Sequence, residues 1–263
     1  MPGPDCDAVL LEEAVREAGA IARTFLAGHN RTRSKADGSP VSDADLAVDR
    51  FLKERLRPAR PDYGWLSEET EDDAARLSLR RLFVVDPIDG TVAFLKGRPH
   101  FTICAAVVED QCPVAAAVYN PLTEECFTAV KGAGARLNGK PIRVSARDEL
   151  EGCRMLASKT TLRHPCWGGK PWPPMEIETP NSIAYRIALV ACGAFDAAMT
   201  MAPTHDWDLA AADLIVREAG GLISSHNGNI PRYNQPNPVQ PSVVAAGPAL
   251  YAQLMARIGR AKL

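Results

Sequence analysis

The segment Leu82-Phe83-Val84-Val85-Asp86-Pro87-Ile88-Asp89-Gly90-Thr91 decides how the rest of the chain is interpreted. Its first four residues are apolar and partly β-branched, which predicts a short strand buried on both faces. Pro87 is expected to end that strand, because proline has no amide hydrogen for the ladder and restricts the residue before it. The segment therefore predicts two carboxylates, a glycine and a hydroxyl at the mouth of a buried strand.

Asp86 and Asp89 lie three residues apart across this turn. They would repel each other unless a cation lay between them, and hard oxygen ligands of this kind suit Mg²⁺. Gly90 lets the backbone approach a ligand, and the amides of Gly90, Thr91 and Val92 are candidates for holding a phosphate oxygen. An ordinary acidic surface turn is the alternative, since Asp, Pro and Gly are common turn residues. The turn by itself does not separate the two interpretations.

Length and composition restrict the class of protein. The 263 residues are enough for one large or two small domains, and the net charge of -2 with a pI near 6.2 excludes the basic tract typical of proteins that bind nucleic-acid polymers. The seven cysteines form no CxxC pair, which favours reduced thiols and a cytoplasmic location. Residues 1–28 lack a continuous apolar run, so neither a signal peptide nor a membrane span is predicted.

Periodicity along the chain predicts two halves of different character. Two helices, from Asp7 to Ala27 and from Ser42 to about Leu56, precede the opening strand, and a largely antiparallel meander follows it. Strands and helices then alternate from Cys153 to Ile258, which is typical of an α/β arrangement. We therefore expect an α+β half at residues 1–150 and an α/β half at residues 151–263.

Two acidic positions in the first half have both a structural and a functional interpretation. Ser42 followed three residues later by Asp45 resembles a helix capping box, so Asp45 alone is better explained as a cap partner than as a metal ligand. Glu68 follows the predicted strand end at Trp65 to Ser67 and would ordinarily be solvated. It becomes a candidate ligand if that strand end lies near Asp86.

The same ambiguity holds for the acidic residues that begin a helix in the second half. Asp206 is a suitable N-cap, and Asp208 lies in the first turn, where a negative charge suits the helix dipole. The functional alternative is that Asp208 points away from the helix start toward Asp89. Nothing local separates these alternatives.

Considered together, the acidic segments resemble one known family. Asp45, Glu68-Glu69, Asp86-Pro-Ile-Asp-Gly-Thr91 and Trp207-Asp208, in this order, are similar to the lithium-sensitive, magnesium-dependent phosphomonoesterases that include inositol monophosphatase and 3'(2'),5'-bisphosphate nucleotidase. The resemblance extends from about Leu10 to Ile258. It implies an α/β/α/β/α sandwich of the sugar-phosphatase type. It also implies a site for two or three Mg²⁺ ions formed by Glu68, Asp86, Asp89, Asp208 and the backbone carbonyl of Ile88.

The resemblance further implies how such a site works. Asp45 would reach the loosest metal site and, with Thr91, orient the attacking water. Asp45 would accept the proton of that water directly or through the hydroxyl of Thr91. The amides of Gly90 and Thr91, at the start of a helix, would hold the phosphate. No covalent phosphoenzyme is needed.

The substrate is expected from residues farther along the chain. Lys159 lies in a segment similar to the family's Ser-Arg-Ser loop, and Ser182 with Arg186 resembles its nucleotidase pattern. Met201, seven residues before Asp208, departs from inositol monophosphatases, which are expected to carry a carboxylate there. Val92 departs from the small polar or basic residue common at its position.

These features favour 3'-phosphoadenosine 5'-phosphate, or its sulfated form, as the substrate. Inositol monophosphatase is the second candidate, and a non-catalytic regulatory protein with the same fold is the third. The expected partner is a small phosphorylated metabolite, and a homodimer is the commonest expectation for a soluble oligomer.

Overall fold

The structure, a computed structural model, describes residues 3–26, 31–34, 40–163, 167 and 171–258. Within these residues the helices are α1 (Pro4–Leu26), α2 (Asp43–Leu56), α3 (Thr91–Leu95), α4 (Lys159–Leu162), α5 (Ile183–Ala191), α6 (Asp206–Glu218) and α7 (Pro248–Ile258), with a short 3₁₀ helix at Ala74–Ser78. No helix in these ranges is long and apolar enough to cross a membrane.

The strands are short and most of them lie in two sheets. In chain order the described strands are β1 (Thr32–Ser34), β2 (Pro40–Ser42), β3 (Gly64–Ser67), β4 (Arg81–Asp89), β5 (Thr102–Glu109), β6 (Cys112–Asn120), β7 (Glu125–Val130), β8 (Gly134–Leu137), β9 (Lys140–Pro141), β10 (Arg154–Leu156), β11 (Glu176–Glu178), β12 (Ala197–Thr200), β13 (Thr204–His205), β14 (Leu222–Ser224), β15 (Val239–Gln240) and β16 (Val243–Ala246). The β1–β2 and β13–β15 pairs form separate two-stranded ribbons.

The first sheet has the strand order β3-β4-β5-β6-β7-β8-β9 and is antiparallel except for the parallel pair β3–β4. Side chains alternate across it, as a pleated strand requires. Leu82 and Val84 face one apolar cluster, whereas Phe83 and Val85 face another that includes α1 and α2. The sheet is therefore covered on both sides, as the apolar run in β4 predicts.

The second sheet, ordered β11-β10-β12-β16-β14, is mixed, with parallel pairs around β10 and antiparallel pairs around β16. Helices α5 and α6 lie between the two sheets in one shared core, and α7 covers the outer face of the second sheet. The protein thus has five layers in this order: helices α1 and α2, the first sheet, helices α5 and α6, the second sheet, and helix α7. The α/β/α/β/α sandwich expected from the sequence is thus confirmed, while the division at residue 150 stays a prediction.

The path of β4 corrects one expectation. The strand continues through Pro87 to Asp89, with a break in its register against β5 between Asp86 and Asp89. Proline is compatible with a strand at such an irregularity, because no ladder hydrogen bond needs its missing amide hydrogen there. The irregularity places the acidic turn at the end of the sheet beside the start of α6.

Candidate metal centre

Three carboxylates meet where β4 ends and α6 begins. One oxygen from each of Asp86, Asp89 and Asp208 lies within 4.8 Å of the others. Asp86 and Asp89 are 1% and 8% exposed, and the Asp208 side chain is 18% exposed. Like charges at this separation and burial repel strongly unless protons or a cation neutralise them.

The pKa values of this cluster are shifted accordingly. Burial raises the pKa of the Asp86 carboxyl well above its usual value, and the charge of Glu68 raises it further. Burial likewise raises the pKa of Asp208 well above its usual value, with the charge of Asp89 adding to the effect. A cation bound among these groups would reverse the shifts, because it favours their ionised forms.

Asp89 is fixed in place by the start of α5. Its Oδ2 accepts hydrogen bonds from the Ser182 hydroxyl at 2.6 Å and from the Ala184 amide at 2.7 Å. Burial raises the pKa of Asp89 to about 6 although these two hydrogen bonds lower it. The second half of the chain thus orients a carboxylate that belongs to the first.

The donor set fits a divalent cation. Asp86 Oδ1 accepts a hydrogen bond from the Ile88 amide at 3.0 Å, whereas its buried Oδ2 has no hydrogen-bond partner among the described residues. A buried carboxylate oxygen without a partner is costly, and Mg²⁺ prefers carboxylate and carbonyl oxygens. The three carboxylates therefore match a magnesium site.

Glu68 lies next to this cluster but is not one of the carboxylates whose oxygens lie within 4.8 Å of one another. It follows β3, whose residue Ser67 is paired with Val85 of β4, and its amide donates to the Val85 carbonyl at 3.4 Å. Its charge contributes to the raised pKa values of Asp86 and Asp45. The structure thus brings Glu68 beside Asp86 through parallel strand pairing, a placement that the sequence left open.

Asp45 caps α2 and also contacts Thr91 at the start of α3. Its Oδ2 accepts hydrogen bonds from the Ser42 amide at 2.9 Å and from the Ser42 hydroxyl at 2.5 Å. Its Oδ1 accepts a hydrogen bond from the Thr91 hydroxyl at 3.2 Å, and that hydroxyl also lies 3.2 Å from the Ile88 carbonyl. Burial raises the pKa of Asp45.

Gly90 is required by the backbone between the acidic turn and α3. Its φ of 99° lies in the left-handed region, and a Cβ there would stand 2.7 Å from the His100 carbonyl oxygen. The first hydrogen bonds of α3 are donated by Ala93 and Phe94 to the Gly90 carbonyl. The amides that precede them, including that of Thr91, belong to the turn in which helices leave their amides without helical partners.

The residues predicted to bind the substrate, Lys159, Ser182 and Arg186, make contacts within the protein or are exposed. Ser182 is fully buried, and its hydroxyl also lies 3.0 Å from the Thr102 hydroxyl. In the structure its hydroxyl therefore orients Asp89. Arg186 donates to the Pro180 carbonyl at 2.6 Å and to the Asn181 carbonyl at 3.4 Å. Lys159 is exposed at the start of α4. Direct contacts of Lys159, Ser182 and Arg186 with a substrate stay predictions.

The sequence interpretation missed Asp49, which lies near the centre. Asp49 accepts hydrogen bonds from Ser67 and Thr70, which flank Glu68 and Glu69. Its position four residues after Asp45, on the same face of α2, was a usable signal.

The expectation that Asp206 is the N-cap of α6 is wrong: His205 is the N-cap, and Asp206 is the first residue of the helix. Asp206 instead accepts hydrogen bonds from the Asn234 amide at 3.0 Å and from the Gln240 side chain at 2.9 Å. These residues are far apart in sequence, so no local pattern indicates the contact.

Comparison with known proteins agrees with this geometry. The Inositol monophosphatase family matches residues 5–262. Inositol-1-monophosphatase from Rhizobium meliloti is 36% identical, covering 83% of this chain and 85% of that protein, and Nus factor SuhB from Xylella fastidiosa is 35% identical, covering 78% and 76%. The crystal structure of extragenic suppressor protein suhB from Bartonella henselae superposes with a TM-score of 0.81 at 28% identity, covering 95% of this chain and 96% of that one. This chain belongs to the inositol monophosphatase family.

Proposed function

We propose that this protein is a Mg²⁺-dependent phosphomonoesterase. Its substrate is 3'-phosphoadenosine 5'-phosphate or the sulfated form, and its products are the 5'-nucleotide and inorganic phosphate. The observation that carries the proposal is the buried Asp86, Asp89 and Asp208 cluster, with an unpartnered Asp86 oxygen, close to the hydrogen-bonded pair of Asp45 and Thr91. When bound, Mg²⁺ supplies Lewis acidity toward the phosphoryl group and toward a water.

Separate sets of residues bind the metal ions and accept the proton of the attacking water. Two or three Mg²⁺ ions would be held by Glu68, Asp86, Asp89, Asp208 and the Ile88 carbonyl. Asp45 is the proton acceptor, because its Oδ1 is hydrogen-bonded to the Thr91 hydroxyl and burial raises its pKa. Thr91 lies between Asp45 and the Ile88 carbonyl and therefore orients a water toward the phosphorus.

The phosphate is held by the turn at Gly90. Backbone amides of Gly90 and Thr91 precede the first intrahelical hydrogen bonds of α3 and are suited to a phosphate oxygen. The glycine conformation lets the backbone come close, since a Cβ at this position would collide with the His100 carbonyl.

Two features support a nucleotide bisphosphate over inositol phosphate. Met201 is partly buried and packs against the apolar cluster between the second sheet and α7, which includes Met199 and Val244. This position therefore offers no carboxylate for inositol hydroxyls. Lys159 and Arg186 add positive charge to the second half of the chain, which would attract the second phosphate of a nucleotide bisphosphate. A lysine binds phosphate as a point charge, whereas an arginine can donate two parallel hydrogen bonds to it. Ser182 contributes by holding Asp89.

The test is phosphate release from 3'-phosphoadenosine 5'-phosphate, inositol 1-phosphate and fructose 1,6-bisphosphate at equal concentration, with and without Mg²⁺. We expect Mg²⁺-dependent release that is fastest with the nucleotide, inhibited by Li⁺ and abolished by Asp89→Asn. No Mg²⁺-dependent release from any of the three would refute the enzymatic proposal. Faster release from inositol 1-phosphate would refute the substrate assignment alone.

Two relatives favour other functions. The relative from Rhizobium meliloti, which carries the name inositol-1-monophosphatase, supports the inositol substrate. The relative from Xylella fastidiosa, named a Nus factor, supports a regulatory protein that binds a partner. Stoichiometric partner binding that persists in Asp89→Asn, without turnover by the wild type, would favour the regulatory function. A homodimer is proposed for either case and is checked by sedimentation.

A further inference from the structure

Asp49 is a buried carboxylate that the proposed reaction does not use. It lies on α2 one turn after Asp45 and is 7% exposed. Its Oδ1 accepts a hydrogen bond from the Ser67 hydroxyl at 2.5 Å, and its Oδ2 accepts one from the Thr70 hydroxyl at 2.8 Å. The two oxygens therefore fasten the chain on both sides of Glu68.

The contact between Ser67 and Asp49 indicates the direction in which Glu68 points. Trp65 belongs to the cluster on the α1 and α2 side of the first sheet, whereas Leu66 belongs to the cluster on the α6 side. Because side chains alternate along a strand, Ser67 faces α2 and the following residue is directed to the opposite face. Glu68 is thereby turned toward the side of the sheet that carries Asp86 and Asp208.

The hydrogen bond from Thr70 matters because the sheet ends here. β3 is an edge strand that stops at Ser67, and the Glu68 amide reaches Val85 at 3.4 Å. The Thr70 hydroxyl bonds both to Asp49 and to the Trp65 indole nitrogen, at 3.3 Å from the latter. These side-chain hydrogen bonds fix the segment where strand pairing no longer does.

Stability alone does not account for an acid at this position. None of the ion pairs among the described residues includes Asp49. A buried carboxylate balanced by hydroxyls alone costs free energy compared with a well-packed apolar side chain. The carboxylate does, however, accept two hydrogen bonds at once, which an apolar side chain cannot.

We propose that Asp49 is a positioning residue that holds Glu68 at the metal centre and thereby sets the affinity of the centre for divalent cations. This inference rests on the proposed function only in taking Glu68 as a ligand. Residues that orient metal ligands typically change metal affinity by roughly 10- to 100-fold when they are replaced. Asp45 and Asp49, one turn apart, would then make α2 the element that sets the distance between the proton acceptor and Glu68.

The experiment measures Mn²⁺ binding by electron paramagnetic resonance of the free ion, without substrate. We expect Asp49→Ala to bind Mn²⁺ about tenfold more weakly than the wild type. Ser67→Ala and Thr70→Val, which each remove one hydrogen bond, should show smaller losses. The matched control is Glu54→Ala, which removes an exposed acid from the same helix and should leave the affinity unchanged.

A double-mutant cycle distinguishes positioning from a general structural effect. If Asp49 acts through Glu68, the variant with both Asp49→Ala and Glu68→Gln binds Mn²⁺ no more weakly than Glu68→Gln alone. Additive losses would overturn the proposal, as would wild-type affinity in a folded Asp49→Ala protein. If Asp49→Ala does not fold, unchanged affinity in both Ser67→Ala and Thr70→Val overturns it. Since no substrate is present, absence of phosphate release would refute the proposed function without affecting this result.

Discussion

The starts of α2 and α6 have the same local geometry but different surroundings. In α2 the Ser42 amide donates to Asp45 at 2.9 Å, and in α6 the His205 amide donates to Asp208 at 2.8 Å. Each aspartate is the third residue of its helix, where this hydrogen bond caps the helix. In both cases one carboxylate oxygen accepts the capping hydrogen bond, and the carboxylate also lies beside residues of the candidate site.

The neighbours of these two aspartates differ. Asp45 is surrounded by the hydroxyls of Ser42 and Thr91, which suits a group that exchanges a proton. Asp208 meets the carboxylates of Asp86 and Asp89, which suits a group that binds a cation. The comparison shows that a capping pattern can fix where a carboxylate lies while its tertiary neighbours determine its chemistry.

The largest effect is expected from Asp208→Asn. The amide oxygen can still accept the capping hydrogen bond, so the helix should persist, but a charged ligand is lost. We expect Mn²⁺ affinity to fall by more than about 100-fold, beyond the loss for residues that only support a ligand, and phosphate release to disappear. Calorimetric titration and a phosphate assay measure this.

The same variant should make the metal-free protein more stable. Removing one of three clustered charges relieves repulsion, which urea unfolding in EDTA would detect as a higher midpoint. Wild-type Mn²⁺ affinity in Asp208→Asn would show that the two helix starts do not differ in the way proposed.

The second largest effect is expected from Asp45→Asn. Its side chain also keeps an oxygen for the cap but can no longer accept the proton of a water. Turnover should fall by roughly 10²- to 10⁴-fold, the range for general acid–base groups, while Mn²⁺ affinity stays close to that of the wild type. Thr91→Ser, which keeps the hydroxyl, is the control. A loss of metal affinity equal to that of Asp208→Asn would remove the distinction between the two aspartates.

Local patterns predicted much of the fold and the position of the acidic turn. The apolar run before Asp86 predicted the buried strand, and the capping pattern predicted the starts of α2 and α6 within one residue. The cap at Asp45 and its proposed role in the site are compatible, because one carboxylate has two oxygens. Each oxygen makes a different hydrogen bond here.

The remainder depends on contacts between distant segments. Pro87 was expected to end the strand, and only the pairing partner β5 shows that an irregularity admits it. Ser182 matched a substrate pattern, but the approach of α5 to β4 buries its hydroxyl against Asp89. The hydrogen bond between Asp49 and Thr70 joins residues 21 positions apart, so it forms only when β3 and α2 are packed together. Such contacts leave no periodic signal in the sequence.

The smallest effects are expected from the two N-cap side chains. Ser42 is buried and its hydroxyl bonds to Asp45, so Ser42→Ala should lower the free energy of unfolding by about 1 kcal/mol, as loss of a cap does. His205 donates its backbone amide to Asp208, and its side chain, which also belongs to the capping box of α6, is 45% exposed and stacked on Trp207 with ring centroids 4.5 Å apart. For the lost stack, His205→Ala should lower the free energy of unfolding by about 0.5 kcal/mol, the lower end of the range for an aromatic pair.

Urea unfolding of both variants, with His205→Phe as the control that keeps the stack, compares the two cap side chains directly. If the hydroxyl of Ser42 also fixes Asp45 for proton transfer, Ser42→Ala should reduce turnover more than His205→Ala does, at equal Mn²⁺ affinity. Wild-type turnover in both variants would mean that the side chain at the cap does not matter to either aspartate. The backbone amide, which both helix starts share, would then be sufficient to place each carboxylate, and the surrounding residues alone would account for the difference in chemistry.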